Sequence, residues 1–186
     1  MAKDRAIDTR SREELMAAVA AGAKPAFLFF WGHTGPIEKA CFSQWYPSAF
    51  EIDGERFATA EHWMMAGKAR LFADDAARAR VLAARTPAEA KKIGREVQGF
   101  DDARWRAARF ELVVRGNEAK FAQNAAAGAV LRATAGKVLV EAAPRDTVWG
   151  IGLGAANERA QDPHTWRGTN LLGFALMEAR ARLFER

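Results

Sequence analysis

Hydrophobic positions along the chain change period several times, and each change marks an element. Over 11–21, SREELMAAVAA predicts a short helix, with Ser11 as N-cap and Glu14 three residues on, the pairing of a capping box. The run AFLFFW at 26–31 has no polar break and predicts a buried strand, closed by the loop GHTGP. FEIDGERF at 50–57 alternates about Asp53 and Gly54, a strong signal for a two-residue hairpin.

From Thr59 the period becomes helical. Thr59 can cap AEHWMMAGKARLF, and 74–85 and 87–95 predict two more helices, the second with Pro87 in its first turn. Asp101 opens the longest helix, to about residue 124, with an apolar stripe through Trp105, Ala108, Leu112, Ala119 and Ala122. KVLVEAA at 137–143 is a short strand. A glycine-rich loop of about twenty residues follows Trp149, and 170–182 closes the chain as an amphipathic helix. The fold class is α+β: one compact domain over residues 1–186, mostly helical with a small antiparallel sheet, and with residues 1–25 as an N-terminal extension.

Composition narrows the setting. The segment MAKDRAIDTRSREEL is charged and lacks the apolar centre of a secretory signal, and no stretch approaches the roughly 18 apolar residues of a membrane span. Cys41 is the sole cysteine, so an internal disulfide is excluded and a cytoplasmic location is expected, with no membrane partner. The net charge of +5 comes from basic residues scattered among acids. That pattern reads first as solvated surface, then as attraction for a phosphate-bearing ligand, and last as nucleic-acid binding, for which no groove-reading motif is present. Six tryptophans against one tyrosine are more than a core of this size needs, so some should line a pocket.

Two segments carry candidate chemistry. Glu61, Met65, Lys68 and Phe72 are spaced by four, three and four and share one helix face. Spacing alone leaves two readings open: a first-turn Glu favoured by the helix dipole with a surface lysine, or a carboxylate kept ionised by a nearby cation that is also free to bind phosphate. In PRDTVWGIG, Asp146 directly follows a strand and Trp149 lies three residues on. A carboxylate beside an indole suits a substrate with a sugar and a flat heterocycle; a turn-forming Asp and a core-filling Trp fit equally. Arg115 falls on the stripe of the long helix, where it is either paired or available to a ligand phosphate. His33, His62 and His164 are dispersed, EHWMM is not HExxH, and no metal site is expected. Gly150, Gly152 and Gly154 lack the strand-turn-helix context of a dinucleotide fingerprint.

The stretches CFSQWYPSAFEIDGERFATAEHWMMAGKA, KKIGREV, EAAPRDTVWGIG and WRGTNLLGFALMEAR, in this order, resemble the YbiA-like or NADAR N-glycosidases from about Phe29 to Leu183. The resemblance implies an enzyme that hydrolyses the C–N bond between a ribose and a nitrogenous group, without a cofactor. In the best-known branch the substrates are the first ribosylamino-pyrimidine intermediates of riboflavin biosynthesis. Carried over, the family's functional Glu falls on Glu61 and its Asp on Asp146, and its tryptophans on Trp105 and Trp149. Two departures stand out: the usual FSNF reads FSQW, placing Gln44 and Trp45 where Asn and Phe are expected.

Ribosyl C–N cleavage passes through an oxocarbenium-like state, which negative charge stabilises while a second carboxylate handles water. The resulting assignment puts Asp146 near the ribose and water and makes Glu61 the general acid or base. Trp105 and Trp149 stack the base, and Lys68, Arg115 and Asn170 complete the substrate-binding set. The expected partner is a phosphorylated ribosylamino-pyrimidine or an ADP-ribose-type ligand. Removal of ADP-ribose from nucleobases, with a nucleic-acid partner, is the alternative, and a non-catalytic ADP-ribose-binding module is the third reading.

Overall fold

The computed structural model describes residues 9–185; residues 1–8 of the N-terminal extension lie outside them. Strand β1 (Ala26–Phe30) pairs in parallel with β4 (Lys137–Glu141), from Ala26 opposite Lys137 to Phe30 opposite Glu141. A second pair, β2 (Phe50–Ile52) and β3 (Glu55–Phe57), is the expected antiparallel hairpin. Asp53 and Gly54 both take positive φ, 55° and 79°, as a tight primed turn demands. The α+β class and the small antiparallel sheet are therefore present. The parallel pair is an addition that the local pattern did not disclose.

Among the described residues the α-helices are α1 (Arg12–Ala20), α2 (Ile37–Ala40), α3 (Ala60–Leu71), α4 (Asp75–Ala83), α5 (Pro87–Arg95), α6 (Asp102–Gln123), α7 (Ala125–Arg132) and α8 (Leu171–Phe184). Two short 3₁₀ turns, Glu158–Gln161 and Pro163–Thr165, lie in the long loop before α8. Starts follow cap chemistry: the side chains of Ser11, Thr59, Asp74, Thr86 and Asp101 each accept a backbone N–H of the turn they open. Helix α3 is buried on nearly every side, from Ala60 through Ala66 and again at Ala69, because α4, α5 and α6 all pack on it. The buried cluster extends from Leu15 in α1 to Met177 in α8, while the sheet pair β1–β4 is backed by α8.

Helix α6 departs from the expected stripe. Its buried face runs through Val113, Val114, Gly116, Asn117, Lys120 and Phe121. Two of these are polar, so the hydrophobic period alone pointed to a neighbouring face. Arg115 consequently lies outside, half exposed, with its guanidinium 2.7 Å from Asp53 of the hairpin turn and 5.5 Å from the Trp63 ring.

Candidate active site

Helix α3 carries Glu61 in its first turn, where the side chain is only 2% exposed. Its backbone N–H donates to Gln44 O at 2.9 Å, which ties the segment 43–45 to the helix start. From the other side, the fully buried Lys120 donates to Ser43 O at 2.8 Å, and Gln44 Nε2 donates to Asn117 Oδ1 at 3.2 Å. Lys120 and Asn117 of α6 thus anchor Ser43 and Gln44 beside the start of α3. Burial lowers the Lys120 ammonium to about 7, the expected cost of placing a lysine there.

The second wall is the end of β4 and the loop beyond it. Asp146 Oδ1 accepts the backbone N–H groups of Val148 at 2.8 Å and Trp149 at 2.7 Å. The carboxylate thereby shapes the turn that presents Trp149. The carbonyls of 147–150 in turn accept the N–H groups of Thr169, Asn170, Leu171 and Leu172, so the loop is fastened to the start of α8.

The third wall is α5. Gly94 lets it approach α3 closely: a Cβ there would fall 2.0 Å from the Met65 sulfur. Its carbonyl accepts Lys68 Nζ at 2.7 Å, and Lys68 also lies 4.3 Å from the Phe100 ring and 5.9 Å from Trp105.

These walls enclose a cavity of about 180 Å³. It gathers three carboxyl groups (Glu61, Glu141, Asp146), three cations (Lys68, Lys91, Arg95) and three indoles (Trp45, Trp105, Trp149). A larger hollow of about 390 Å³ near Ser48, Arg56 and His62 contains no carboxylate and offers no comparable chemistry. The other tryptophans have different fates: Trp63 and Trp166 are core, and Trp31 is 66% exposed.

Glu61, Asp146, Trp105, Trp149 and Lys68 thus come together as the sequence indicated. Arg115 and Asn170 do not line the cavity. Arg115 is paired with Asp53, and Asn170 is fully buried behind β4, its side chain accepting from Glu141 N and donating to Leu139 O, both at 2.9 Å. Glu141, Lys91 and Arg95 also line the cavity and were not singled out, although all lie in the matched stretches; Gln44 and Trp45, noted only as departures from the family pattern, line it too. The i, i+4 spacing of Lys91 and Arg95 on α5 was the available signal.

Burial dominates the electrostatics. It pushes the Glu61 carboxyl up to about 7, with the Asp146 charge adding to the rise; Lys91, the Trp45 indole N–H and Arg95 pull the other way. The cation facing Glu61 is therefore Lys91 rather than Lys68. Burial likewise lifts Glu141 to about 8, helped by Asp146 and Glu61 and opposed by Lys91. Three enclosed oxygens in this cavity make no hydrogen bond within the protein: Glu61 Oε1, Gln44 Oε1 and one carboxyl oxygen of Glu141. Enclosed polar atoms without a partner are uncommon in folded proteins, and three of them fall at this one cavity.

A NADAR domain matches residues 29–184. The chain belongs to the NADAR family. It is 40% identical to N-glycosidase R617 of Acanthamoeba polyphaga mimivirus, covering 83% of this chain and 94% of that one. It is 30% identical to N-glycosidase YbiA of Escherichia coli over 76% of this chain and 80% of the relative. The NMR structure of E. coli YbiA superposes with a TM-score of 0.68 at 25% identity, covering 97% of this chain and 92% of that chain. This NADAR protein is accordingly an N-glycosidase.

Proposed function

We propose that the protein hydrolyses the C–N bond between ribose 5-phosphate and the amino-pyrimidine of early riboflavin biosynthesis intermediates. The observation that carries this reading is one small cavity holding Glu61 and Asp146 together with three indoles and three cations. Asp146, fixed by two backbone N–H groups, supplies negative charge at the ribosyl cation. Glu61 handles a proton, since a carboxyl displaced to about 7 exchanges protons efficiently near neutral pH. Trp105 and Trp149, both partly exposed, offer π-faces to the pyrimidine. Lys91 and Arg95 take the 5′-phosphate, joined by Lys68, whose ammonium keeps donors beyond the one spent on Gly94.

The test is release of ribose 5-phosphate from the phosphoribosylamino-pyrimidine, run beside ADP-ribosylated DNA. Turnover of the first substrate alone is expected. Turnover of the DNA substrate alone would replace this reading with the ADP-ribosyl one.

A further inference from the structure

Glu141 is the third carboxyl of the cavity and the last residue of β4. Its backbone is fixed at both ends: the N–H donates to Asn170 Oδ1 at 2.9 Å, and the carbonyl accepts Ile151 N–H at 2.9 Å. The side chain lines the cavity and is partly accessible, yet its Oε2 is enclosed and makes no hydrogen bond. Glu61 Oε1 is enclosed and unpaired in the same way, so an uncompensated oxygen disfavours the ionised form of both glutamates and their surroundings decide which keeps its proton.

The two glutamates have unequal surroundings. Glu61 faces Lys91 and Arg95 of α5 and the Trp45 indole N–H, all of which favour its ionised form, against Asp146. Glu141 faces the carboxyl groups of both Asp146 and Glu61, with Lys91 the one cation acting on it appreciably. Where acids crowd one site, the last proton stays on the group with the poorest stabilisation of charge.

We propose that Glu141 is the proton donor of this site, delivering its proton to the nitrogen that leaves the ribose while Glu61 stays ionised as the base toward water. The assignment rests on the hydrolytic reading above and decides the acid within it. The electron pair of the C–N bond departs with nitrogen, which takes the Glu141 proton. Water oxygen bonds to the anomeric carbon and its proton passes to Glu61. That proton then returns to Glu141 through solvent, so one water is consumed and the site is restored. The raised position of Glu141, about 8, keeps it protonated at neutral pH.

The experiment is the pH dependence of kcat on the phosphoribosylamino-pyrimidine for wild type, Glu141→Gln, Glu141→Asp and Glu61→Gln. Wild type should lose activity on the alkaline side as Glu141 ionises. Glu141→Gln should fall by ~100-fold and lose that alkaline limb. Glu141→Asp should keep a limb at a reduced rate, and it decides the matter if Glu141→Gln fails to fold. Rates within threefold of wild type in the folded variant, or an alkaline limb that survives in Glu141→Gln, overturn the assignment and leave the hydrolytic reading standing. A wild type that turns over no ribosylamine substrate overturns both.

Discussion

Asn170 Oδ1 accepts the backbone N–H of Glu141 at 2.9 Å, and Asn170 Nδ2 donates to the carbonyl of Leu139 at 2.9 Å. One amide side chain thus continues the ladder of β4 on the edge opposite β1, replacing a third strand. The residue sits at φ 55°, a left-handed conformation that asparagine tolerates better than most residues. Its position just before α8 couples the helix start to the strand that ends at Glu141.

Replacing Asn170 should therefore act on stability first. Asn170→Ala leaves a buried N–H and a buried C=O unpaired and keeps an unfavourable φ, for a loss of about 2–4 kcal/mol. Urea unfolding measures it. A loss below about 0.5 kcal/mol would show that the two hydrogen bonds carry no weight.

Arg115 and Lys91 give a contrasting pair. Arg115 spends its charge on Asp53 in an exposed ion pair, so Arg115→Ala should change stability by less than ~1 kcal/mol and leave kcat/KM unchanged. Lys91→Met removes the cation facing both Glu61 and Glu141 and should raise KM and lower kcat together. Steady-state kinetics on the two variants distinguishes them. Equal losses would return Arg115 to the substrate-binding set.

Glu61→Gln should lose ~100-fold or more in turnover while keeping the fold. Its stability effect depends on pH. Burial places the Glu61 carboxyl near 7 in the folded protein, above its ordinary value near 4.5, so the folded state holds the proton more tightly. The stabilisation this provides is complete below the ordinary carboxyl range and disappears as pH rises toward 7. Glu61→Gln should then be more stable than wild type at pH 8, by about 1–3 kcal/mol, and gain little at pH 4. Thermal melts at the two pH values read the difference, and an equal shift at both would contradict it.

How much of this was legible in the sequence depends on the range over which each signal acts. The Glu61, Met65, Lys68 and Phe72 face was readable because helix spacing is local, and the first three do line the cavity. The hairpin at Asp53 and Gly54 was readable for the same reason. The parallel pairing of β1 with β4 was not, since its partners lie far apart in the chain and no turn joins them. Glu141 was hidden inside KVLVEAA, where a charged residue closing a strand looks like a solvated end. Lys120 and Asn117 misled in the opposite sense. A buried lysine and a buried amide break the hydrophobic period of α6, and only the carbonyl of Ser43 and the side chain of Gln44 explain why they are there. Arg115 and Asn170 were placed by motif and stripe, and tertiary partners claimed both.

Trp149 tests the stacking assignment. It is partly exposed, lines the cavity and lies 6.0 Å from the Arg109 guanidinium. Trp149→Phe retains a π-face and should raise KM less than Trp149→Ala, which should weaken binding by about tenfold at little cost in kcat. If Trp149→Ala instead unfolds the chain while its folded fraction binds normally, the ring serves packing.

Chelation is the remaining test, because three carboxyl groups around one cavity invite the idea of a divalent cation held with the substrate phosphate. The local arrangement works against it. Among the described residues no three His, Cys, Asp or Glu side chains are grouped closely enough to hold a metal ion. One oxygen of Asp146 is already committed to backbone N–H groups. Glu61 and Glu141 both hold protons more tightly than ordinary carboxyls, so a cation would have to displace them, and the Lys91 ammonium already acts on both. Stabilising an oxocarbenium ion with a carboxylate and activating water with a base need no metal. Full activity is therefore expected after exhaustive dialysis against EDTA. An activity lost in EDTA and restored by Mg²⁺ alone would mean that the carboxyl groups act as ligands, and it would remove the acid–base roles given to Glu61 and Glu141 together.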